Sequence, residues 1–420
     1  MFTIAICLVT VCLPLGHAAT EQDVNGCLAL SENVPEYNTC TCHHQGNERQ
    51  IHEISVIECV DRHFDEATAR RMLNATSQYM LNVEKIVFTG NNIYHLYPHV
   101  LGNLKHRSLW DLKILNLSNN NIKEISGKAF HSAPELKTLI LDDNEWQVSD
   151  KTPRIFYSFM ELRSLSLNFA FSTSDQKAAN IQVENLSDVF EGSEMYWLEE
   201  LYLERNNLEY VNAKIFQSLP SLRKVSLRDN VIMRSRGLFN ATCHEVTYAF
   251  NFDEVSHRIE EKCYLQEMDL YNNSLRYIDT DFINELLRNN NFTSLNIHSN
   301  PLVCDCNMKP FVEMIMTDDT VKQILVDFDS LTCSVPGKKG QVLLSSVKLK
   351  DMCNFGKSGM EKSTNAASVV ITILLVVLAL LLVIVGVYHR QTVLKKGGEM
   401  VMCARDQCCP RKYKYHGVSV

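Results

Sequence analysis

The 420 residues are enough for two or three ordinary domains or for one elongated repeat array. At 45% hydrophobic and 21% charged, the composition is that of a globular protein, so the positions of charge and cysteine are what inform. Residues before 389 hold 34 Lys/Arg against 47 Asp/Glu, a net charge of −13, which argues against nucleic acid or heparin as the partner.

The chain opens on an uncharged segment, residues 1–18, with an apolar run from Ile4 to Leu15 followed by Gly16, Ala18 and Ala19. This pattern predicts a secretory signal peptide cleaved after Ala18 or Ala19, since the run is too short to span a bilayer. Residues 19–82 then hold Cys27-x12-Cys40-x-Cys42-x16-Cys59.

Eight segments follow that fit L-x-x-L-x-L-x-x-N-x-L. They begin at Val83, Leu112, Leu136, Leu162, Leu198, Leu222, Leu265 and Phe292. The fourth and sixth template positions lie two apart, so in a strand both point into the core while the residues around them face the other way. Asn at the ninth position (Asn91, Asn120, Asn144, Asn206, Asn230, Asn273, Asn300) stands where the chain leaves the strand. There its amide can satisfy backbone groups and form a ladder through the stack. The fourth segment has Ala170 in that place and reads as degenerate. The pattern is that of leucine-rich repeats, stacked over residues 83–302.

Two intervals exceed one turn of such a solenoid: 36 residues from Leu162 to Leu198 and 43 from Leu222 to Leu265. Both are read as ordered excursions projecting from it, the second stapled by Cys243 and Cys263. After the repeats, residues 303–354 carry Cys304-x-Cys306-x26-Cys333-x19-Cys353. A solenoid core is open at both ends and needs caps, and the two cysteine clusters supply them. In an oxidising compartment ten cysteines suggest five disulfides, whose connectivity spacing alone does not give. That compartment also disfavours zinc at Cys304 and Cys306, so no metal is expected. Six sequons mark the same compartment: Asn74, Asn116, Asn185, Asn240, Asn272 and Asn291. Asn116 lies between Leu115 and Leu117, on the variable face, where a glycan blocks the second repeat; either the site is empty or ligands dock elsewhere.

A stalk is read over 355–365, and residues 366–388 form an uncharged apolar stretch. As a helix it reaches roughly 34 Å, enough to cross a bilayer. The flank 389–420 holds seven Lys/Arg against Glu399 and Asp406, which places it in the cytosol and the N-terminus outside. Cys403, Cys408 and Cys409 are candidates for S-acylation, with unmodified thiols the alternative. Val418-Ser419-Val420 has the carboxylate ending that PDZ domains bind by strand addition. A tail of this length is too short for a signalling domain, so signals must pass through partners.

The fold class is therefore α/β: a curved leucine-rich-repeat solenoid with a parallel β-sheet on its concave face, disulfide-bonded caps and one transmembrane helix. Asn300 to Cys306 (NPLVCDC) and Leu331 to Pro336 (LTCSVP) resemble the flanking modules of extracellular leucine-rich-repeat receptors. More narrowly, Glu58 to Arg62 (ECVDR), Phe88 to Asn92 (FTGNN) and Leu115 to Ser118 (LNLS) resemble the trophoblast glycoprotein family. The insertion with Cys243 and Cys263 departs from that pattern. The resemblance implies a type I plasma-membrane glycoprotein that influences adhesion or motility and restrains β-catenin-dependent Wnt signalling.

On the concave face the variable residues of the C-terminal half are Glu200, Tyr202 and Glu204, then Lys224 and Arg228, then Glu267, Asp269 and Tyr271. The charges read either as a ligand face or as cross-strand pairs of Glu200 and Glu204 with Lys224 and Arg228. Tyr202 and Tyr271 are the better ligand candidates, because tyrosine gives contact area at little entropy cost. In the N-terminal half Lys85, Val87, Thr89, Ile114, Thr138 and Ile140 form a more apolar strip, read as an interaction surface or as covered by the cap or the fourth repeat. No spaced nucleophile–base or metal-ligand set exists, so neither an enzyme nor a cofactor is expected. The expected function is to bind an extracellular protein ligand or co-receptor and modulate signalling, the alternative being adhesion to a membrane protein on a facing cell.

Overall fold

The computed structural model describes residues 27–353 apart from 33, 45–53, 79–81, 103–108, 149–154, 172–175, 192, 194, 212–213, 236–237, 239–242, 250–256 and 290, together with 374–387 and 390. The signal peptide, Asn240, the stalk and the tail with Cys403, Cys408, Cys409 and Val418 to Val420 lie outside the described residues. The chain divides into two units, Met1–Met352 and Cys353–Val420.

The first unit begins with α1 (Leu28–Ser31), β1 (Thr41–His44), β2 (Ile54–Val60) and α2 (Glu66–Gln78). The repeats supply β3 (Lys85–Thr89), β4 (His95–Leu96), β5 (Ile114–Asn116), β6 (Glu124–Ile125), β7 (Thr138–Ile140), β8 (Ser164–Ser166), α3 (Gln176–Glu191), β9 (Glu200–Tyr202), α4 (Lys214–Gln217) and β10 (Lys224–Ser226). A hairpin of β11 (Cys243–Ala249) and β12 (His257–Cys263) precedes β13 (Glu267–Asp269), α5 (Thr280–Arg288) and β14 (Ser294–Asn296). The unit closes with α6 (Lys309–Thr317), α7 (Asp319–Ile324), β15 (Thr332–Ser334), β16 (Gln341–Leu343) and α8 (Leu349–Met352).

Ten strands form one sheet in the order β1-β2-β3-β5-β7-β8-β9-β10-β13-β14. All neighbours are parallel except β1 and β2. In each short strand the middle residue (Leu115, Leu139, Leu165, Leu201, Val225, Met268, Leu295) is buried and its neighbours, save the buried Ser226, are not, the alternation that period-two geometry requires. Burying each such side chain stabilises by roughly 1.5–3 kcal/mol. Opposite the sheet, Phe130, Phe156, Phe190, Phe216 and Phe282 are fully buried, one for each of five repeats. Phe156 lies 6.0 Å from Phe190 and 6.1 Å from Trp146, ring centre to ring centre.

The asparagine ladder forms as expected. Asn230 Oδ1 accepts from the N–H of Asn206 (2.9 Å) and Leu208 (3.1 Å), and its Nδ2 donates to the carbonyls of Leu203 (2.9 Å) and Leu227 (3.0 Å). Asn120, Asn144, Asn273 and Asn300 do the same work in their repeats. The fourth repeat keeps its strand despite lacking the amide. Asn144 N–H donates to the carbonyl of Phe169 (3.2 Å) and Trp146 N–H to that of Ala170 (2.8 Å), so main chain replaces the missing rung. Just before each ladder residue the backbone turns left-handed, at Gly90, Asn119, Asp143, Phe169, Arg205, Asp229, Asn272 and Ser299.

The first long interval does not simply project. Its helix α3 sends Leu186, Val189 and Phe190 into the core and forms the back of its repeat. The second interval holds the β11–β12 hairpin, which is a separate two-stranded sheet with the backbone of Cys243 opposite Cys263. Register at the base is thus what the expected staple needs.

Both ends are capped by disulfides. Cys27 is bonded to Cys42, Cys40 to Cys59 and Cys304 to Cys333, while Cys306 and Cys353 are also disulfide-bonded. β1 and β2 carry the sheet into the N-terminal cap. At the other end Leu325 bridges Leu295 and Val326 N–H donates to the Leu295 carbonyl (3.0 Å), which covers the last edge. In the second unit residues 374–387 are helical. They lie inside the stretch 366–388 expected to span a bilayer, whose other residues are not described; among the described residues no helix is long and apolar enough to cross a membrane.

Candidate functional site

The open face of the sheet is assembled by register. One row runs Val56, Lys85, Ile114, Thr138, Ser164, Glu200, Lys224, Glu267, Ser294 across the strands. The adjacent row runs Glu58, Val87, Asn116, Ile140, Ser166, Tyr202, Ser226, Asp269, Asn296. Asp142, Glu204, Arg228 and Tyr271 stand just past the ends of β7, β9, β10 and β13.

The expected tyrosines sit in the C-terminal half of this face, each half-buried beside a cation. The Arg228 guanidinium lies 4.4 Å from the centre of the Tyr271 ring, and the Lys224 ammonium 5.8 Å from that of Tyr202. The pairing of charges differs from the sequence expectation. Lys224 pairs with Glu267 (3.3 Å) and Arg228 with Asp269 (3.1 Å), on the strand that follows rather than the one before. Glu200 and Glu204 instead accept from neutral groups. Ser164 Oγ donates to Glu200 at 3.0 Å, Tyr202 OH at 3.1 Å, and Ser226 Oγ donates to Glu204 at 2.6 Å. The long side chains of Lys224 and Arg228 lean toward β13, where the carboxylates are directly opposite or one diagonal away.

Electrostatics follow from this arrangement. Burial, then the nearby Glu200 carboxylate, raises the Tyr202 pKa, so its hydroxyl keeps its proton as a donor. Burial lowers Lys224, but Glu267, Tyr202 and Glu200 together outweigh it and hold the ammonium above its ordinary value. Burial raises Asp142, against the pull of hydrogen bonds from Ser166 Oγ (2.6 Å) and Asn168 N–H (2.8 Å).

In the N-terminal half Val87, Thr89, Ile114, Thr138 and Ile140 are each half-buried, neither sealed nor fully open. Lys85 is tied to Glu58 at 3.0 Å. Among the sequon residues, Asn74, Asn272 and Asn291 are exposed and Asn116 and Asn185 half-buried.

Sequence reasoning placed Ser226 on this face but missed Asp142 and Ser166; hydrogen bonds of Ser166 to Asp142 and of Ser226 to Glu204 knit the middle of the face. It also missed a set of exposed apolar residues just before the first leucine of several repeats: Trp110, Met160, Tyr196 and Trp197. Arg163 lies over Trp197 at 5.1 Å and pairs with Glu199 at 2.7 Å. Their signal was present: Trp197 stands one before the first leucine, where Asp111, Glu135 and Glu161 stand in other repeats, and Trp110, Met160 and Tyr196 stand one residue earlier.

Comparison with known proteins agrees with this architecture. A family model described as "Leucine rich repeat" matches residues 82–146 and 111–169. Trophoblast glycoprotein of Macaca fascicularis is 26% identical over 298 residues, covering 69% of this chain and 62% of that protein. The chain thus spans about three-fifths of that relative's length. Lumican of Rattus norvegicus is 31% identical over 157 residues, 33% of this chain and 45% of its own. The crystal structure of human 5T4, also named Wnt-activated inhibitory factor 1 or trophoblast glycoprotein, aligns with a TM-score of 0.51 at 20% identity, over 71% of this chain and 94% of that one. The chain carries leucine-rich repeats, and its likeness to trophoblast glycoprotein is that of a divergent relative.

Proposed function

We propose that this is a single-pass cell-surface glycoprotein that binds an extracellular protein ligand or co-receptor and thereby modulates signalling, with inhibition of the Wnt/β-catenin pathway as the specific case. One observation carries the binding reading: two tyrosines, Tyr202 and Tyr271, stand half-exposed on a rigid parallel sheet, each against a cation, Lys224 or Arg228, that is already paired with a carboxylate. Such a surface offers aromatic contact area beside cations that are already paired, which suits a protein partner. Glu200, Glu204, Glu267 and Asp269 frame it. The likeness to trophoblast glycoprotein supports the cell-surface setting, and the human relative's other name, Wnt-activated inhibitory factor 1, points to the Wnt pathway.

In this reading residues 1–18 are removed, 19–82 and 303–354 cap the repeats of 83–302, 355–365 form a stalk, 366–388 span the plasma membrane and 389–420 face the cytosol. Lipidation of Cys403, Cys408 and Cys409 holds the tail at the membrane, and Val418 to Val420 bind a PDZ domain. The test uses the full chain in cells carrying a Wnt-responsive reporter, with surface staining of the N-terminus. Wild type lowers the reporter; the Tyr202→Ala/Tyr271→Ala double variant reaches the surface equally and does not. Cell aggregation without reporter change replaces this reading with adhesion to a facing cell.

A further inference from the structure

We propose that β11 is the edge through which two copies of this chain pair. The two β11 strands run antiparallel about a twofold axis at Val246, and two hairpins become one sheet in the order β12-β11-β11-β12. The β11–β12 hairpin lies between β10 and β13 in sequence but takes no part in the ten-stranded sheet. Its strands pair with each other, so among the described residues both outer edges are without a neighbouring strand. In an antiparallel pair alternate residues turn N–H and C=O away from the partner strand, and on an edge those groups are a template for another strand. A two-stranded hairpin is also marginal by itself. This one sets Glu245 opposite Glu261, and like charges directly opposite destabilise it. A third strand would supply what it lacks.

The two edges are not equivalent. Four of the seven residues of β12 are charged (Arg258, Glu260, Glu261 and Lys262), and charge is a common device for blunting an exposed edge. β11 carries one charge, Glu245, followed by Val246, Thr247 and Tyr248, which favour strands.

Self-pairing separates them further. About Val246, β11 sets Val246 opposite its own copy, Glu245 opposite Thr247, His244 opposite Tyr248 and Cys243 opposite Ala249, so no like charges meet. About Glu260, β12 sets Glu260 opposite its own copy and Arg258 opposite Lys262, which repel. Pairing β11 with a second copy's β12 at the hairpin's own register repeats Glu245 opposite Glu261. It also leaves an edge open at each end, so further copies add without closure. Pairing through β11 stops at two, with the charged β12 strands outermost.

The experiment expresses the full chain in cells under two different tags and reads how much of one form co-purifies with the other in mild detergent. Wild type is expected to co-purify with wild type. Val246→Lys sets two lysines opposite each other across the axis, while within its own hairpin the lysine stands opposite Glu260. Its self-association is expected to fall at least about ten-fold. Co-expressing Val246→Lys with Val246→Glu is expected to restore association to within about twofold of wild type. Glu260→Arg, on the outer edge, is expected to leave it unchanged. Wild type that does not co-purify overturns the proposal, and so does Val246→Lys associating as wild type does. Loss that the Val246→Glu partner does not restore overturns the axis at Val246. Loss in Glu260→Arg overturns the outermost place of β12.

Discussion

At the scale of single residues, the left-handed turn before each ladder asparagine is the most demanding position in the repeat. Gly90, Asn119, Asp143, Asp229 and Asn272 tolerate it, whereas Phe169 adopts φ 48° and Arg205 φ 56° against their preference. Phe169→Asn is expected to stabilise by about 1 kcal/mol, read as a rise in the thermal midpoint, because its ring is largely exposed and its backbone strained. Gly90→Ala is expected to destabilise by at least about 1 kcal/mol in denaturant titration, since φ is 67° and a Cβ there runs into Asp61. Asp142 makes a pH prediction. Burial raises its carboxyl above the ordinary 3.8, so the folded state holds the proton more tightly than the unfolded one. Its contribution is then favourable at low pH and is lost as pH rises through the folded value. The thermal midpoint of Asp142→Asn measured against wild type should therefore climb as pH rises through the carboxylate range. A flat difference would show that the hydrogen bonds from Ser166 and Asn168 cancel the burial.

At the scale of elements, each strand is too short to persist alone, and the ladder is what couples them. Asn230→Ala removes the side-chain partner of five main-chain groups at once. It should cost about 2–4 kcal/mol in chemical denaturation, well above a surface substitution. The fourth repeat shows the converse, since Ala170 is accommodated by two main-chain bonds. Capping disulfides act on the ends. Replacing Cys304 and Cys333 together by serine should cost about 2–4 kcal/mol. Because the cap covers the edge of β14, hydrogen exchange should speed up first in β14 and β13 and leave β3 and β5 protected.

For the repeat unit as a whole, one sheet carries two chemically different halves. Val87, Ile114 and Ile140 make the N-terminal half apolar, while the C-terminal half holds aromatic rings under paired cations. A parallel ribbon turns a linear sequence difference into a spatial one, since neighbouring repeats are neighbouring strands. This is why Tyr202 and Tyr271, far apart in sequence, share one surface with only β10 between their strands, the β11–β12 hairpin being looped out. Loss of partner binding on Tyr271→Ala of about ten-fold, with an unchanged thermal midpoint, is the expected signature of an anchor residue.

Much of this was legible in the chain. The template spacing located every repeat strand of the ten-stranded sheet, though not β4 and β6, and the ninth-position asparagines foretold the ladder, because both follow from periodicity and from the obligation to satisfy buried amides. The caps were legible as cysteine clusters. What sequence could not decide were matters of distance. Lys224 and Arg228 face two candidate strands, and only the lean of their side chains chose β13. The interval after Leu162 looked like a projecting loop, yet Leu186, Val189 and Phe190 found room in the core and made it a helix. Spacing gave no cystine pairing, since it does not say which sulfurs meet. Local pattern determined the elements; side-chain reach and the volume left between elements, which exist only once the chain is packed, determined the rest.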